Sequence, residues 1–378
     1  MTRISAPWLD DDASQQVCKL LADAGYQAWF VGGCVRNELL DEPVADLDLS
    51  TDALPEFVMK LAKAAKIKAI PTGIDHGTVT LIVDDVPFEI TTFRRDVATD
   101  GRRATVAYSD NMTDDARRRD FTMNALYADA DGQIADPLGG LPDLKARRIR
   151  FIEDADRRIK EDYLRILRFF RFYAWYGDVN DGPDVDGLAA CADNIEGLQS
   201  LSVERITAEM LKLLAAPDPA PALASMTSTG ALAQVLPGAE PGSLAVLIHL
   251  EQSLTIAPNP LRRLAVLGGK PGDALRLSKT QMRTLDHLTS GLSPVEASYR
   301  HGVQVGLDVL LVQSASLGQD IDKTALKPIE NAAKQVFPLK AADLMPALSG
   351  PALGSALKEA ETRWIRSGFT LTKAQLLD

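Results

Sequence analysis

Histidine and cysteine are scarce in this chain of 378 residues, with four of the first and three of the second. Cys18, Cys34 and Cys191 are scattered, with no Cys-x-x-Cys pair and no Cys/His cluster. That excludes a disulfide scaffold and a zinc ribbon, and fits a reducing compartment. His76, His249, His287 and His301 stand isolated, and no His-Asp doublet occurs in that order. Long apolar runs are missing too. No segment reaches the roughly 18 consecutive apolar residues of a membrane span, and the opening MTRISAPWLDDDAS lacks the apolar stretch of a signal peptide. A cytoplasmic protein with no membrane partner is expected. Positive charge is in deficit, 41 Lys and Arg against 52 Asp and Glu, for a net charge of -11. The surface as a whole therefore cannot coat a polyanion, and any nucleic acid must be held by a local basic zone.

What is present is enough apolar residue, 46% of the chain, to build two or more packed domains. From about Trp29 to Ala130, β-like runs (AWFV, ADLDLS, GTVTLIV, PFEITTF) alternate with turn chemistry such as VDDVP. Beyond about Arg150 the pattern turns helical, from EDYLRILRFFRFYAWY and SVERITAEMLKLLAA into Ala- and Leu-rich segments divided by Pro and Gly. No fixed-period repeat is evident. A small sheet with a few helices, followed by an all-α assembly, is the expected architecture.

The stretch FVGGCVRNELLDEPVADLDLSTD concentrates the chemistry. Gly32 and Gly33 close a strand and open a helix, an arrangement that serves either a tight turn or an anion on the helix's free N–H groups. Arg36, one turn in, adds a charge-assisted donor to the second reading. Asp46 and Asp48 lie two apart, so in a strand they share a face. They are either a solvated edge or a pair held together by a hard cation such as Mg2+, for which oxygen ligands are the preferred set. Glu89, inside the apolar strand PFEITTF, favours the cation, because a solitary buried carboxylate is costly and a neighbouring strand would carry it to the same ion.

Two basic motifs follow. RRRDFTMNAL sets Arg117, Arg118, Arg119 and Asp120 before a helical run in which Asn124 follows Asp120 by one turn. In EDYLRILRFFRFYAWY, Asp162, Arg165, Arg168 and Arg171 recur every three residues, with Leu164, Leu167 and aromatics for packing. Each taken alone also reads as a solvated or ion-paired helix face. Together, the ten bases from Lys145 to Arg171 form the local basic zone that the net charge demands.

The order GGCVRN, DLDL, EITTFR, RRRDFTMNAL, DPLGG, EDYLRILRFFRF, SVERITAEM resembles the class II tRNA nucleotidyltransferase and bacterial poly(A) polymerase family, more closely its CCA-adding members. The resemblance covers about Phe30 to Met210, and more loosely the tail from Leu339. It implies a β-polymerase-type α/β head over residues 1–145, with a small mixed sheet and helices. A helical neck (146–215) that recognises the nucleotide base and a helical body and tail (216–378) that bind tRNA would follow. Asp46, Asp48 and Glu89 match the catalytic, Mg2+-binding carboxylates. Gly32 and Gly33 with Arg36 match the triphosphate contacts; Arg119, Asp120 and Asn124 match further nucleotide contacts. Asp162 and Arg165 match the residues that read the base, extended by Arg168 and Arg171, while Glu204, Arg205 and Glu209 match a supporting motif. The substrates implied are CTP, ATP and tRNA.

Hydrogen-bond types agree with that base-reading assignment. A carboxylate accepts and a guanidinium donates. Cytosine and adenine both offer an amino donor beside a ring-nitrogen acceptor, whereas guanine and uracil present a carbonyl and an N–H there. An Asp162/Arg165 pair thus suits CTP and ATP and rejects GTP and UTP. Asn37 departs from the Asp usual in the family's Gly-Gly-x-Val-Arg-Asp motif, and the lack of a His-Asp doublet argues against an appended phosphohydrolase domain. Arg94 to Ser109 resembles the flexible loop of full CCA adders, which weighs against a CC-only enzyme. Poly(A) synthesis, partial CCA addition and a catalytically silent RNA-binding protein are the alternatives, and the oligomeric state is open.

Overall fold

The computed structural model describes residues 2–100, 103–345 and 347–377, which group into two compact units, Met1–Val235 and Leu236–Asp378. The strands of the first unit are β1 (Trp29–Val31), β2 (Leu47–Thr51), β3 (Lys68–Gly73), β4 (Thr78–Val83), β5 (Val86–Thr92), β6 (Arg94–Asp100), β7 (Arg103–Tyr108), β8 (Tyr127–Ala128) and β9 (Ile134–Ala135). Seven of them form one mixed sheet in the order β3-β4-β5-β2-β1-β8-β9, and β6 pairs with β7 apart from it. Strand β2 runs parallel to β5 and antiparallel to β1. The VDDVP turn closes β4 onto β5: Asp84 and Asp85 both take positive φ, 48° and 65°, as a two-residue hairpin with the sheet's right-handed twist requires. Gly101 and Arg102, within the loop expected over Arg94–Ser109, lie outside the described residues.

Aromatic rings anchor the arginine-bearing helix of this unit. In helix Leu164–Tyr176, Leu164, Ile166, Leu167, Phe169, Phe170, Phe172 and Tyr173 are buried, the wide apolar stripe of a core-facing helix. Phe169 and Phe172 pack on Phe121, with ring centroids 6.4 and 4.9 Å away, and Phe151 stacks on Phe169 at 5.6 Å. These contacts hold the arginine-bearing helix against Phe121 and Phe151, which face each other in an isolated β-bridge.

The single helix expected over EDYLRILRFFRFYAWY is divided. One helix, Ala155–Glu161, ends before Asp162, whose backbone is extended (φ -157°, ψ 105°), and the next begins at Leu164. The Asp162 carboxylate accepts from the Leu164 N–H at 3.2 Å, the local side-chain bond by which Asp disfavours helix interiors and favours their starts. The compact unit also runs past the expected neck boundary at residue 215. Helix Ala220–Ser228 packs on Leu164–Tyr176 and buries Ala222, Leu223 and Met226.

The second unit is helical among its described residues. Asn259 caps helix Pro260–Leu267, accepting from Leu261 N–H at 2.9 Å. The following Arg262 and Arg263 are buried against Glu251, and Arg262 reaches Asp308 at 2.7 Å. A separate core gathers Leu339, Ala360, Trp364, Ile365 and Leu376 with Tyr299, Phe337 and Phe369. His287 and His301, on the successive helices Lys279–Thr289 and Pro294–His301, are not isolated: their rings stack with centroids 3.8 Å apart. No helix among the described residues is long and apolar enough to cross a membrane.

Candidate active site

Strand β1 delivers the chain to Gly32, whose φ of 72° and ψ of -116° precede helix Gly33–Leu39. A Cβ at Gly32 would stand 3.3 Å from the Arg119 guanidinium, so both backbone and space call for glycine. Arg36, 8% exposed, lies 4.3 Å from the Tyr176 ring centroid and 5.1 Å from that of Phe172. It donates to Asn124 Oδ1 at 2.6 Å, to the Tyr176 hydroxyl at 2.9 Å and to Asn37 Oδ1 from both Nε and Nη2. Burial lowers its pKa, opposed by Tyr176 and Asp120.

The parallel register of β2 and β5 sets Asp48 directly beside Glu89, so the two carboxylates share a face. Asp46 stands two residues earlier, ahead of the strand and exposed, while Asp48 is half-buried. Glu89 is exposed, not buried as its apolar strand suggested: Phe88 and Ile90 turn inward and Glu89 outward. Burial first, then Glu89 and Asp46, push the Asp48 carboxyl up to about 6, against the opposing pull of Arg119. Among the described residues no three His, Cys, Asp or Glu side chains are already gathered as a metal-binding group. The donor set fits a hard cation all the same: Glu89 on the neighbouring strand and Asp46 just ahead of β2 both repel the Asp48 carboxylate, and a divalent ion relieves that repulsion.

Two hydrogen-bonded chains hold the arginines. In one, Asp115, fully buried, accepts from Arg118 at 2.8 Å, Arg119 at 3.0 Å and the Tyr127 hydroxyl at 2.9 Å. Burial alone would raise this carboxyl, yet Arg119 and Arg118 hold it well below the usual range. In the other, Arg36 donates to Asn124, Asn124 donates to Asp120 Oδ1 at 2.8 Å, and Arg168 donates to Asp120 Oδ2 from Nε at 2.7 Å and from Nη2. Asp120 too is held below its ordinary pKa by Arg168 and Asn124 against the effect of burial. The segment after Asp120 is a short 3-10 turn, Thr122–Asn124, and not the expected helical run, but the Asp120–Asn124 contact forms.

The base-reading candidates are also partnered. Arg205 donates to Asp162 Oδ2 at 2.6 Å, and Arg165 donates to Glu161 at 2.7 Å and to the Arg158 carbonyl at 2.6 Å. A cavity of about 430 Å³ is lined by Gly32, Gly33, Arg36, Asp48, Arg119, Asp120, Asn124, Asp162, Arg165 and Arg168, with Leu164, Phe172 and Arg205. Asp46 and Glu89 are not among its lining residues. Neither is Arg171, which turns to Glu209 at 2.5 Å, since a three-residue spacing drifts around a 3.6-residue helix. The broad basic zone is largely neutralised as well: Arg150 pairs with Asp143, Arg157 with Glu153 and Glu161, Lys160 with Asp156, and Arg158 is buried against Glu161 and the Arg118 and Arg119 carbonyls. Sequence reading missed Asp115, Tyr176 and Phe172. The i, i+4 spacing of the two aromatics on an arginine-rich helix was the available signal for them.

Comparison with known proteins now adds to this geometry. Residues 28–150 match the poly A polymerase head domain, and residues 185–242 match the probable RNA and SrmB-binding site of polymerase A. The CCA tRNA nucleotidyltransferase 1, mitochondrial, of Danio rerio is 30% identical over 375 residues, covering 93% of this chain and 86% of that one. The chain belongs to the tRNA nucleotidyltransferase and poly(A) polymerase family. Within that family, the CCA-adding enzyme of Geobacillus thermodenitrificans is 42% identical over 216 residues, 57% of this chain and 52% of that protein. The chain thus spans about half the length of several curated relatives it matches. The crystal structure of the Bacillus stearothermophilus CCA-adding enzyme in complex with CTP superposes with a TM-score of 0.75 at 26% identity, covering 96% of this chain and 94% of that one. Thermotoga maritima CCA-adding enzyme complexed with tRNA shares the fold at a TM-score of 0.68 and 17% identity.

Proposed function

We propose that this chain adds CMP and AMP to the 3′ end of tRNA, without a nucleic-acid template, consuming CTP and ATP, releasing pyrophosphate and completing the sequence CCA in the cytoplasm. The observation that carries this reading is the single cavity whose lining combines Asp48, the glycine pair with Arg36, and Asp162 with Arg165. The family membership, and relatives described as CCA-adding enzymes, support the same reading.

Asp46, Asp48 and Glu89 would hold Mg2+, which when bound supplies acidification of the attacking 3′-hydroxyl and neutralisation of the departing pyrophosphate. The chain's own residues do the rest. Gly32 and Gly33 offer backbone N–H groups at a helix start, and Arg36 and Arg119, locked by Asn124 and Asp115, offer preorganised charge to the triphosphate. Asp162 gives one oxygen to Arg205 and shares the other with the Leu164 N–H, yet a carboxylate has about four acceptor positions and so keeps capacity for an amino group. Arg165 makes its short bonds through Nη1 and only a long one, 3.4 Å, from Nη2 to the Arg118 carbonyl, so donors remain in its fork for a ring nitrogen. In this division the head is residues 1–145, the neck 146–215, and the body and tail 216–378 bind tRNA.

The test uses tRNA transcripts ending at the discriminator base, at C and at CC, each incubated with one nucleotide at a time. CMP is expected on the first two and a single AMP on the third. Unlimited AMP addition to every transcript would indicate a poly(A) polymerase, arrest after CC a partial enzyme, and no incorporation a silent RNA-binding protein.

A further inference from the structure

We propose that Asn37 is a positioning residue that sets the site's affinity for the triphosphate, holding Arg36 in place while leaving its charge free. The inference rests on the reading of Arg36 as a triphosphate contact. Asn37 Oδ1 accepts from Arg36 Nε at 3.1 Å and from Nη2 at 2.8 Å. On the other side of the same amide, Nδ2 donates to the Pro43 carbonyl at 2.7 Å. With guanidinium donors on one side and a carbonyl on the other, only one orientation of the amide satisfies both. Pro43 lies three residues ahead of Asp46, in the segment leading to β2. One side chain therefore ties the guanidinium to the segment that carries the acidic pair.

Asparagine is the residue that fits both demands. An aspartate accepts from Arg36 but sets an acceptor against the Pro43 carbonyl, and its negative charge offsets the positive charge an incoming triphosphate needs. An alanine makes neither bond. The four bonds Arg36 makes to Asn124, Tyr176 and Asn37 leave one of a guanidinium's five N–H donors unclaimed, in a side chain that lines the cavity. Fixed in this way, Arg36 meets an anion without losing side-chain freedom on binding, which is the benefit of preorganisation.

The experiment compares the full chain with Asn37→Asp, Asn37→Ala and Arg36→Lys. It measures kcat and KM for CTP and ATP, the inhibition constant of pyrophosphate, CTP-over-UTP preference and thermal melting. For Asn37→Asp, both KM values and the pyrophosphate inhibition constant are expected to rise together by about five- to tenfold, with base preference and melting temperature little changed, as weakening of one charge-assisted contact predicts, and with a lower kcat because the bond to the Pro43 carbonyl is lost. Asn37→Ala loses the same bond and is expected to lower kcat likewise and to raise the same constants. Unchanged pyrophosphate inhibition in Asn37→Asp overturns the proposal, as does a lowered melting temperature with pyrophosphate affinity kept. If Arg36→Lys also leaves pyrophosphate affinity unchanged, the reading of Arg36 itself fails, an outcome distinct from failure at Asn37 alone.

Discussion

Each unit pairs an arginine with a buried carboxylate, and the two clusters end differently. In the second unit Arg262 uses Nε, Nη1 and Nη2 on Glu251, Asp308 and the Ala257 carbonyl, and its side chain is 1% exposed beside partners at 2% and 5%. In the first unit Arg168 commits Nε and Nη2 to Asp120, is 31% exposed along its side chain, and lines the cavity. No described residue accepts from its Nη1. Both clusters answer the cost of burying charge by close pairing. Every nitrogen of the Arg262 guanidinium has an acceptor and the cluster is shut off from solvent; in the Arg168 cluster a whole nitrogen, Nη1, is left for something else. Burial and pairing alone do not mark a functional arginine, but an uncommitted donor at a cavity does.

Asp48→Ala, which removes the carboxylate paired in register with Glu89, is expected to suppress C and A addition alike by on the order of a thousandfold, the scale of losing a metal-supported step. Single-turnover assays with both nucleotides check this, and loss of only one addition would contradict a shared site. Arg262→Ala leaves Glu251 and Asp308 buried with less countercharge, and is expected to lower stability by about 3–5 kcal/mol. Urea unfolding measures that cost, while CTP binding under native conditions should hold; equal damage to CTP affinity would erase the distinction between the two clusters. Arg168→Ala should cost less stability, about 1–3 kcal/mol, because solvent reaches its site, but should weaken CTP and ATP binding. Titration calorimetry and melting on the same samples separate the two effects.

Much of this was legible in the sequence, for reasons that differ by residue. Period-two patterning fixes only which face a side chain takes within its own strand; that Glu89 lies beside Asp48 was expected from the cost of an unshared carboxylate, and the parallel register of β2 and β5 bears that neighbourhood out. The same rule, applied fully, would have turned Glu89 outward, since Phe88 and Ile90 claim the interior. Asp120, Asn124 and Arg168 were found through their motifs, but their mutual bonding spans 48 residues and only the fold brings it about. Asp115 was passed over as one acid among several, because nothing local reveals that Arg119 and Tyr127 converge on it. The basic zone was read by counting charges, whereas the structure pairs most of them with nearby acids, several at i, i+3 or i, i+4. The break at Asp162 carried a sequence signal, an aspartate ahead of an apolar helical run, but the continuous three-residue arginine spacing outweighed it.

The smallest expected effect bears on the central claim, that the carboxylate and guanidinium bordering the cavity choose the base. Asp162→Ala removes the acceptor now shared by Arg205 and the Leu164 N–H, and should cost on the order of 1–3 kcal/mol in binding CTP or ATP, the penalty for a hydrogen bond left unmade. The decisive measurement is single-turnover incorporation of CTP, ATP, UTP and GTP on one tRNA series by the unaltered chain and by Asp162→Ala. The account predicts that CTP and ATP slow while UTP and GTP do not, so that selectivity narrows. Slowing of all four nucleotides by one common factor would contradict it, and would make Asp162 a support for the helix start and not a reader of the base.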